Sequence, residues 1–599
     1  MPYARAGPWT RRRFAQALTP AFALAGSACR RRPRGRPNII WLIAEDLCPD
    51  LSCYGNSAVR TPHLDRLSSE GIRFDRAYVT GPICSPSRSA LATGIYQTSL
   101  GAHHHRSHRD DAYRLPQGIH LFTHYLREAG YHTSLVREPA PGLRTNAKTD
   151  FNFQTEAAFD GSHWSQRRPG QPFYAQINFP ETHRPFRRFP DRPIDPAAVT
   201  LPPWLPDHPV IRQDWTMYLE SMQHLDEKVG VVLGQLDENL HESTVIFFFG
   251  DNGRPLPRGK GFLYEGGIHV PLIVRFPEEF LPAGAAPGNA REDLVSSLDI
   301  TATTLALAGV EPPAGLHGRP LFGPGARPRD YLFAAVDRCD ESMDRVRSVR
   351  DRRFKYVRNY LPDRPYCQPN VYRDTEYPSL RVLRELGQQG KLTPEQAHFT
   401  TPRRPAEELY DLEADPQEVR NLTASPAHQS ILRELRARLD AWVNETADQG
   451  EIPERALPRS YQYRVNKVEE WCSRDCRLSK VRGLLRVEVF GKQHRLMRGF
   501  VAQGGRMELR FRARSRGVPR ATFRWGTVTN FDNPSQTAPV SFSGGRAWRE
   551  YAVPFRADGD LALLAFDFTG VRGVVEFDWI RLSRLAPGRA EPVAAWNFA

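Results

Sequence analysis

Two apolar runs that end in acidic residues constrain the fold of this 599-residue chain more than any other feature. Residues 38–44, Asn-Ile-Ile-Trp-Leu-Ile-Ala, are almost continuously apolar, the pattern of a strand covered on both faces, and Glu45 and Asp46 close the run. Residues 244–249, Thr-Val-Ile-Phe-Phe-Phe, repeat the pattern and lead into Gly250-Asp251-Asn252-Gly253. Two buried strands that finish in carboxylate and amide oxygens bring those oxygens to the carboxyl edge of one parallel sheet, where open α/β folds keep their sites.

The stretches between and after these runs alternate in kind. Thr61 to Gly71 reads as a capped helix, Ile72 to Val79 leads on toward Cys84, and Val210 to Leu240 reads as one long helix whose apolar residues recur at mostly three- and four-residue steps. A strand over Val270 to Phe276 and a helix near Asp299 to Ala308 follow. This βα alternation predicts an α/β class fold: a mostly parallel sheet with helices on both faces, over residues 37–327. Short strand-like runs at 331–336, 345–349 and 354–359, with a helix over 426–443, predict a small α+β subdomain at 328–450. Six β-rich runs between 483 and 583, separated by Gly, Pro and Asn turns, predict an appended β-sandwich, jelly-roll-like, at 451–599. Such a domain either holds a glycan or braces the rest of the chain.

The net charge of +14 invites a nucleic-acid reading, but arginines are scattered and no DNA- or RNA-reading motif is present. Attraction to polyanions such as sulfated glycans and a merely arginine-rich composition explain the excess equally well. Residues 1–36 are read as an export signal and flexible leader. Thr10-Arg11-Arg12-Arg13-Phe14, an apolar run to Ala25 and the small residues Gly26-Ser27-Ala28 have the form of a twin-arginine signal. Cys29 adds the option of a lipid anchor, and the apolar run is too short to span a membrane. The expected location is periplasmic or extracellular. Eight cysteines are few for a disulfide scaffold; Cys48 with Cys53 and Cys472 with Cys476 are candidate bridges, free thiols the alternative.

The stretch Cys84-Ser-Pro-Ser-Arg-Ser-Ala-Leu-Ala-Thr-Gly94 carries the chemistry. Pro86 suits the first position of a helix and Gly94 its stop, so Cys84 is expected to face the positive end of a helix dipole, a place that favours an oxyanion. Cys84, Pro86, Ser87, Arg88 and Thr93-Gly94 together resemble the Cys-x-Pro-Ser-Arg motif of the sulfatase family, and the likeness, closest to the N-sulfoglucosamine sulfohydrolase-like branch, covers roughly the first 450 residues.

That resemblance implies oxidation of Cys84 to formylglycine (3-oxoalanine) by a formylglycine-generating or anaerobic sulfatase-maturating enzyme. Hydrated, it would attack sulfur through one hydroxyl and expel sulfate as its carbonyl re-forms. Glu45, Asp46, Asp251 and Asn252 are hard oxygen ligands that suit one calcium ion together with residue 84, and Asp251 would orient the nucleophile. Glu45 departs from the aspartate common in the family. Arg88, Lys148 and Lys260 resemble the cations that hold sulfate, and His183 resembles the acid that protonates the leaving atom. The family's Lys-x-His element is absent, its place taken by Arg137-Glu138-Pro139. Of His103, His104 and His105, the last is the candidate base, with a solvated polar loop as the alternative for the others. Arg338, in Asp337-Arg338-Cys339-Asp340-Glu341, is a candidate substrate-binding residue at the rim. The implied activity is sulfate ester or sulfamate hydrolysis on a sulfated carbohydrate. Phosphonate or phosphate ester hydrolysis and a catalytically silent glycan-binding protein are the rival readings.

Overall fold

β1 (Asn38–Ala44) lies inside the main sheet, parallel to both of its neighbours. Those neighbours are β4 (Phe173–Phe179) and β5 (Thr244–Gly250), and Ala44 is in register with both Phe179 and Gly250, so the three carboxyl ends are level. In this computed structural model the described residues are 35–236, 238–455, 471–474, 476–490, 493–527, 535–545 and 547–598. The stretch read as an export signal, and Cys29, lie outside them.

β3 (His132–Val136) extends the parallel part beyond β4. On the other side β6 (His269–Arg275) runs antiparallel to β5, and β2 (Ile72–Tyr78) antiparallel to β6, with the short β7 (Ala290–Arg291) and β8 (Val295–Ser296) at the edge. The sheet is therefore parallel at its heart and mixed at one side. Side chains of β1 divide by parity, as a doubly covered strand requires. Ile40 and Leu42 join the apolar layer under α1 (Pro62–Glu70) and α4 (Pro209–Leu233), while Ile39, Trp41 and Ile43 join the layer on the opposite face. There Trp41 stacks on Phe122 of α3 (Phe122–Glu128) and donates its indole N–H to Thr304 of α5 (Ser297–Leu307) at 3.0 Å.

Two helix boundaries differ from the sequence expectation. The long helix stops at Leu233 with Gly234 as its cap, and only one further turn forms, at Glu238–His241. Helix α2 (Cys84–Thr93) begins at Cys84 rather than Pro86, so Cys84 is inside the first turn. Gly94 ends α2 at φ 71°, and a Cβ there would sit 2.3 Å from Leu316.

The next layer is an antiparallel sheet of β9 (Leu332–Val336), β10 (Val346–Arg350), β11 (Phe354–Asn359) and β12 (Glu407–Asp411). Between β11 and β12 the chain inserts α6 (Val371–Glu376) and α7 (Pro378–Gln388). Helix α8 (Gln429–Glu445) then buries Leu432, Leu435, Leu439 and Trp442 against the sheet.

The β-rich remainder forms two facing antiparallel sheets. One contains 472–474, 493–502, 520–527, 537–541 and 561–569; the other contains 477–481, 484–490, 505–516, 549–557, 572–586 and 589–597. Met497, Ala562, Leu563 and Ala565 of the first sheet belong to the apolar layer of the catalytic body, and Arg381 of α7 donates to the Ala562 carbonyl at 3.1 Å. Cys48 and Cys53 are free thiols, and Cys472 and Cys476 donate to the Met497 and Arg495 carbonyls, so neither candidate bridge forms. No helix among the described residues is long and apolar enough to cross a membrane.

Candidate active site

Because β1 and β5 end level, Glu45, Asp46, Asp251 and Asn252 meet at one edge, all of them buried. Asp46 sits at φ 56°, a left-handed conformation costly for a residue with a Cβ. There its N–H reaches Asp251 Oδ1 at 3.0 Å. Asn252 Nδ2 donates to Asp46 Oδ1 at 2.9 Å, and Cys84 Sγ lies 3.7 Å from the same oxygen. Helix α2 is tied down by Ser87, which donates to the Asp251 carbonyl at 2.5 Å.

Each carboxylate has its own cation. Lys260 Nζ donates to both Asp46 oxygens (2.8 and 2.7 Å), Lys148 Nζ to Glu45 Oε2 (2.7 Å), and Arg88 Nε to Asp251 Oδ2 (2.8 Å). Burial opposes ionisation of Asp46, yet Lys260 and His183 hold it down at about 2. Glu45 is likewise below its ordinary range, with Lys148 and Arg88 outweighing burial. Asp251 goes the other way: burial, helped by Asp46 and Glu45, raises it despite Arg88. The Cys84 thiol, buried and facing two carboxylates, is pushed up to about 12 in spite of Lys148 and Lys260.

Three carboxylates and an amide in one buried place are the hard donors that calcium takes. The buried Asn252 Oδ1 has no hydrogen-bond partner, an oxygen that an ion would satisfy. Glu45 fits least well, since Asn146 Nδ2 (3.0 Å) and Lys148 engage its two oxygens separately.

The edge opens into a cavity of about 210 Å³ whose lining includes Cys84, His105, His183 and Lys260. His183 Nδ1 is 2.6 Å from the Arg184 carbonyl, which fixes the ring and leaves Nε2 3.8 Å from Asp46. Burial and then Lys260 lower the His183 pKa, so the ring is neutral near pH 7. The histidine triplet is not a solvated loop. All three rings are buried and their pKa values fall to about 4, chiefly through desolvation. His105 alone of the three lines the cavity, its Nδ1 3.0 Å from Asp340. Arg338 is not at the rim: it is fully buried, paired with Glu454 at 2.8 Å and donating to the His105 carbonyl. The cavity takes its Asp340 neighbour instead.

Several groups at the site escaped the sequence reading. Asn178, at the end of β4, accepts from Arg88 at 2.9 Å, and Asn146 fixes Glu45. Tyr372 and Arg373 of α6, with Tyr377, close the cavity from the subdomain. Asn178 lies inside β4 rather than after it, so it gives no signal of the kind that follows β1 and β5, and nothing local marks α6.

This fold and this edge, with the matches that follow, define a sulfuric ester hydrolase. The family description Sulfatase fits residues 37–310, and the description N-sulphoglucosamine sulphohydrolase, C-terminal, fits residues 258–367. An ulvan-active sulfatase of Formosa agariphila is 35% identical over 476 residues, covering 70% of this chain and 77% of that protein. Human N-sulphoglucosamine sulphohydrolase is 28% identical over 492 residues, covering 72% and 93%. A structure solved with its substrate D-glucosamine-2-N,6-O-disulfate shares the fold, at 18% identity and a TM-score of 0.51, over 70% of this chain and all of that one. The chain belongs to the sulfatase family.

Proposed function

We propose that the protein hydrolyses sulfate ester or sulfamate groups of a sulfated carbohydrate, with Cys84 matured to formylglycine and one calcium ion held by Asp46, Asp251, Asn252 and Glu45. The carrying observation is the state of Cys84. Its Sγ lies 3.7 Å from Asp46 Oδ1 at the centre of the site, yet burial raises the thiol far above its usual range, so it is no thiolate nucleophile as it stands. The aldehyde supplies an oxygen nucleophile in its place, and the ion supplies fixed positive charge beside it.

The remaining work falls to this chain's own side chains. Lys260, Lys148 and Arg88 hold the sulfate oxygens; Arg88 keeps a buried NH2 group with no partner, a donor available to an anion. Asp251, raised above the usual carboxylate range, is suited to take a proton from the nucleophile. His183, oriented by the Arg184 carbonyl, carries a proton at Nε2 to the leaving oxygen or nitrogen once the sulfate anion has offset Lys260. His105, backed by Asp340, is the candidate base that clears the nucleophile afterwards. Tyr372 and Tyr377 give the cavity aromatic faces for a sugar ring. Relatives named for ulvan and for N-sulphoglucosamine support a sulfated sugar as substrate. Export through the twin-arginine signal and maturation by a dedicated enzyme belong to the same reading.

Two measurements test it. Mass spectrometry of the Cys84 peptide, on protein from the native host, should find the aldehyde, and an unmodified thiol there would point to a silent binder. Parallel assays with aryl sulfate and aryl phosphonate should favour sulfate; much faster phosphonate cleavage would overturn the assignment.

A further inference from the structure

The excess positive charge of this protein is not spread evenly. Residues 471–599 contain 22 Lys and Arg against 11 Asp and Glu, whereas residues 37–470 contain 51 against 57. A basic module is thus joined to a slightly acidic enzyme body. Within the module the two sheets have different surroundings. Strand 561–569 is buried at nearly every position, because one face meets the module's core and the other meets the catalytic body. Strand 505–516 alternates strictly: Met507, Leu509, Phe511 and Ala513 point into the core, and Glu508, Arg510, Arg512, Arg514 and Arg516 point outward. The five-stranded sheet braces the enzyme, and the six-stranded sheet turns its outer face away from its own core with an arginine row along it.

The neighbouring strands complete that face. Arg581 stands opposite Arg510, and the half-exposed Trp579 opposite Arg512. Guanidinium groups lie over indole rings: Arg514 4.6 Å from the Trp548 centroid and Arg581 4.6 Å from that of Trp579. Of the acids here, Asp578 is held by Arg512 at 3.0 Å, Glu576 by Arg514 at 2.6 Å, and Glu508 faces Arg510 at 3.5 Å, while exposed Glu550 stands opposite Arg512. Arg510, Arg516 and Arg581 are exposed to solvent. Flat indoles among arginines at strand spacing match a chain that alternates sugar faces with anionic substituents.

We infer that the outer face of the six-stranded sheet is a non-catalytic docking surface for a sulfated polysaccharide chain. The choice of a glycan over other polyanions rests on the proposed activity of the attached enzyme; the basic, tryptophan-bearing face itself does not. Docking would keep the enzyme on a long substrate between sulfate removals.

The test uses the full-length protein on immobilised heparin as the sulfated-chain probe, with salt titration. Retention is expected, and the triple variant R510Q/R516Q/R581Q should bind at least ~10-fold more weakly at about 0.1 M salt, its slope of log K against log salt shallower by roughly two to three. A control with the same charge loss on exposed arginines of the enzyme body, R66Q/R352Q/R403Q, should bind as the unaltered protein does. Equal weakening in both variants would reduce the effect to net charge and overturn the assigned face, as would unaltered binding by the first variant. Thermal unfolding of each variant guards against misfolding, and W548A offers a second, uncharged probe expected to weaken binding. Duplex DNA or anionic vesicles that bind more tightly than heparin at equal salt would overturn the glycan assignment. Retention needs no turnover, so an inactive protein that is retained refutes only the proposed activity, and an active protein that flows through refutes only the docking surface.

Discussion

Replacing Lys260 with methionine removes one charge from a buried pair while keeping most of the volume. Asp46 is wholly buried, and Lys260 donates to both of its oxygens within 2.8 Å. At about 2 against an ordinary 3.8, Asp46 has pairing outweighing burial by on the order of 2 kcal/mol near neutral pH. Without Nζ, burial wins and the folded-state pKa of Asp46 rises above its ordinary value. The two proteins then differ in sign. In the unaltered protein the Asp46 contribution is present above about pH 4 and is lost as pH falls through about 2. In K260M, Asp46 favours the folded state at low pH, and that contribution is lost as pH rises through the raised pKa. The deficit of the variant should therefore be small only near pH 2, reach about 2 kcal/mol by pH 4, and grow to about 3–5 kcal/mol toward pH 8, the cost of an uncompensated buried charge. Thermal midpoints recorded across that range in EDTA read it directly, and added calcium should narrow the gap by replacing the missing positive charge. A deficit that does not change with pH would refute the pairing argument.

Three further outcomes are expected. His183→Ala should lower kcat/KM for a sugar sulfate by about 10²–10⁴, and much less for an aryl sulfate whose leaving group needs no proton; equal losses on both would remove the acid role. Chelation should abolish turnover, with calcium restoring it better than zinc, since the donors at the sheet edge are oxygens. Gly499→Val should loosen the sandwich from the enzyme body by about 1–3 kcal/mol, because a Cβ there would lie 2.4 Å from the Asp374 carbonyl oxygen; limited proteolysis that releases the β-module faster would register it.

The parts of the fold that sequence made legible are those governed by local pattern. β1 and β5 are buried on both faces and read as apolar runs, and the acids after them read as a site because charged residues at such positions need a reason. β4 is just as buried but carries no such signal in sequence, since Gln176 and Asn178 interrupt its apolar run. Asn178 is polar because it orients Arg88, so the site itself blurred the strand signal. Arg338 was misplaced for the opposite reason. Its partner Glu454 is 116 residues away in sequence, and no local feature reveals a clamp of that kind. The same holds for Tyr372 and Arg373, which reach the cavity only because α6 folds back between β11 and β12.

The one-to-one pairing at the sheet edge also explains why so many charges can be buried together. Glu45 with Lys148, Asp46 with Lys260 and Asp251 with Arg88 make the edge neutral as it stands. In the proposed calcium-bound enzyme, the same oxygens would be neutralised by the ion, and the positive charge of Lys148 and Lys260 would then be in excess. That excess, generated at a fixed place and shielded from water, is what a sulfate group needs in order to bind. On the proposed function the lysines would have two partners in turn, the carboxylates of the protein first and the anionic group of the substrate afterwards. Arg88 is held to Asp251 more firmly than either lysine to its carboxylate, because its fork engages Asn178 and the Lys148 carbonyl as well.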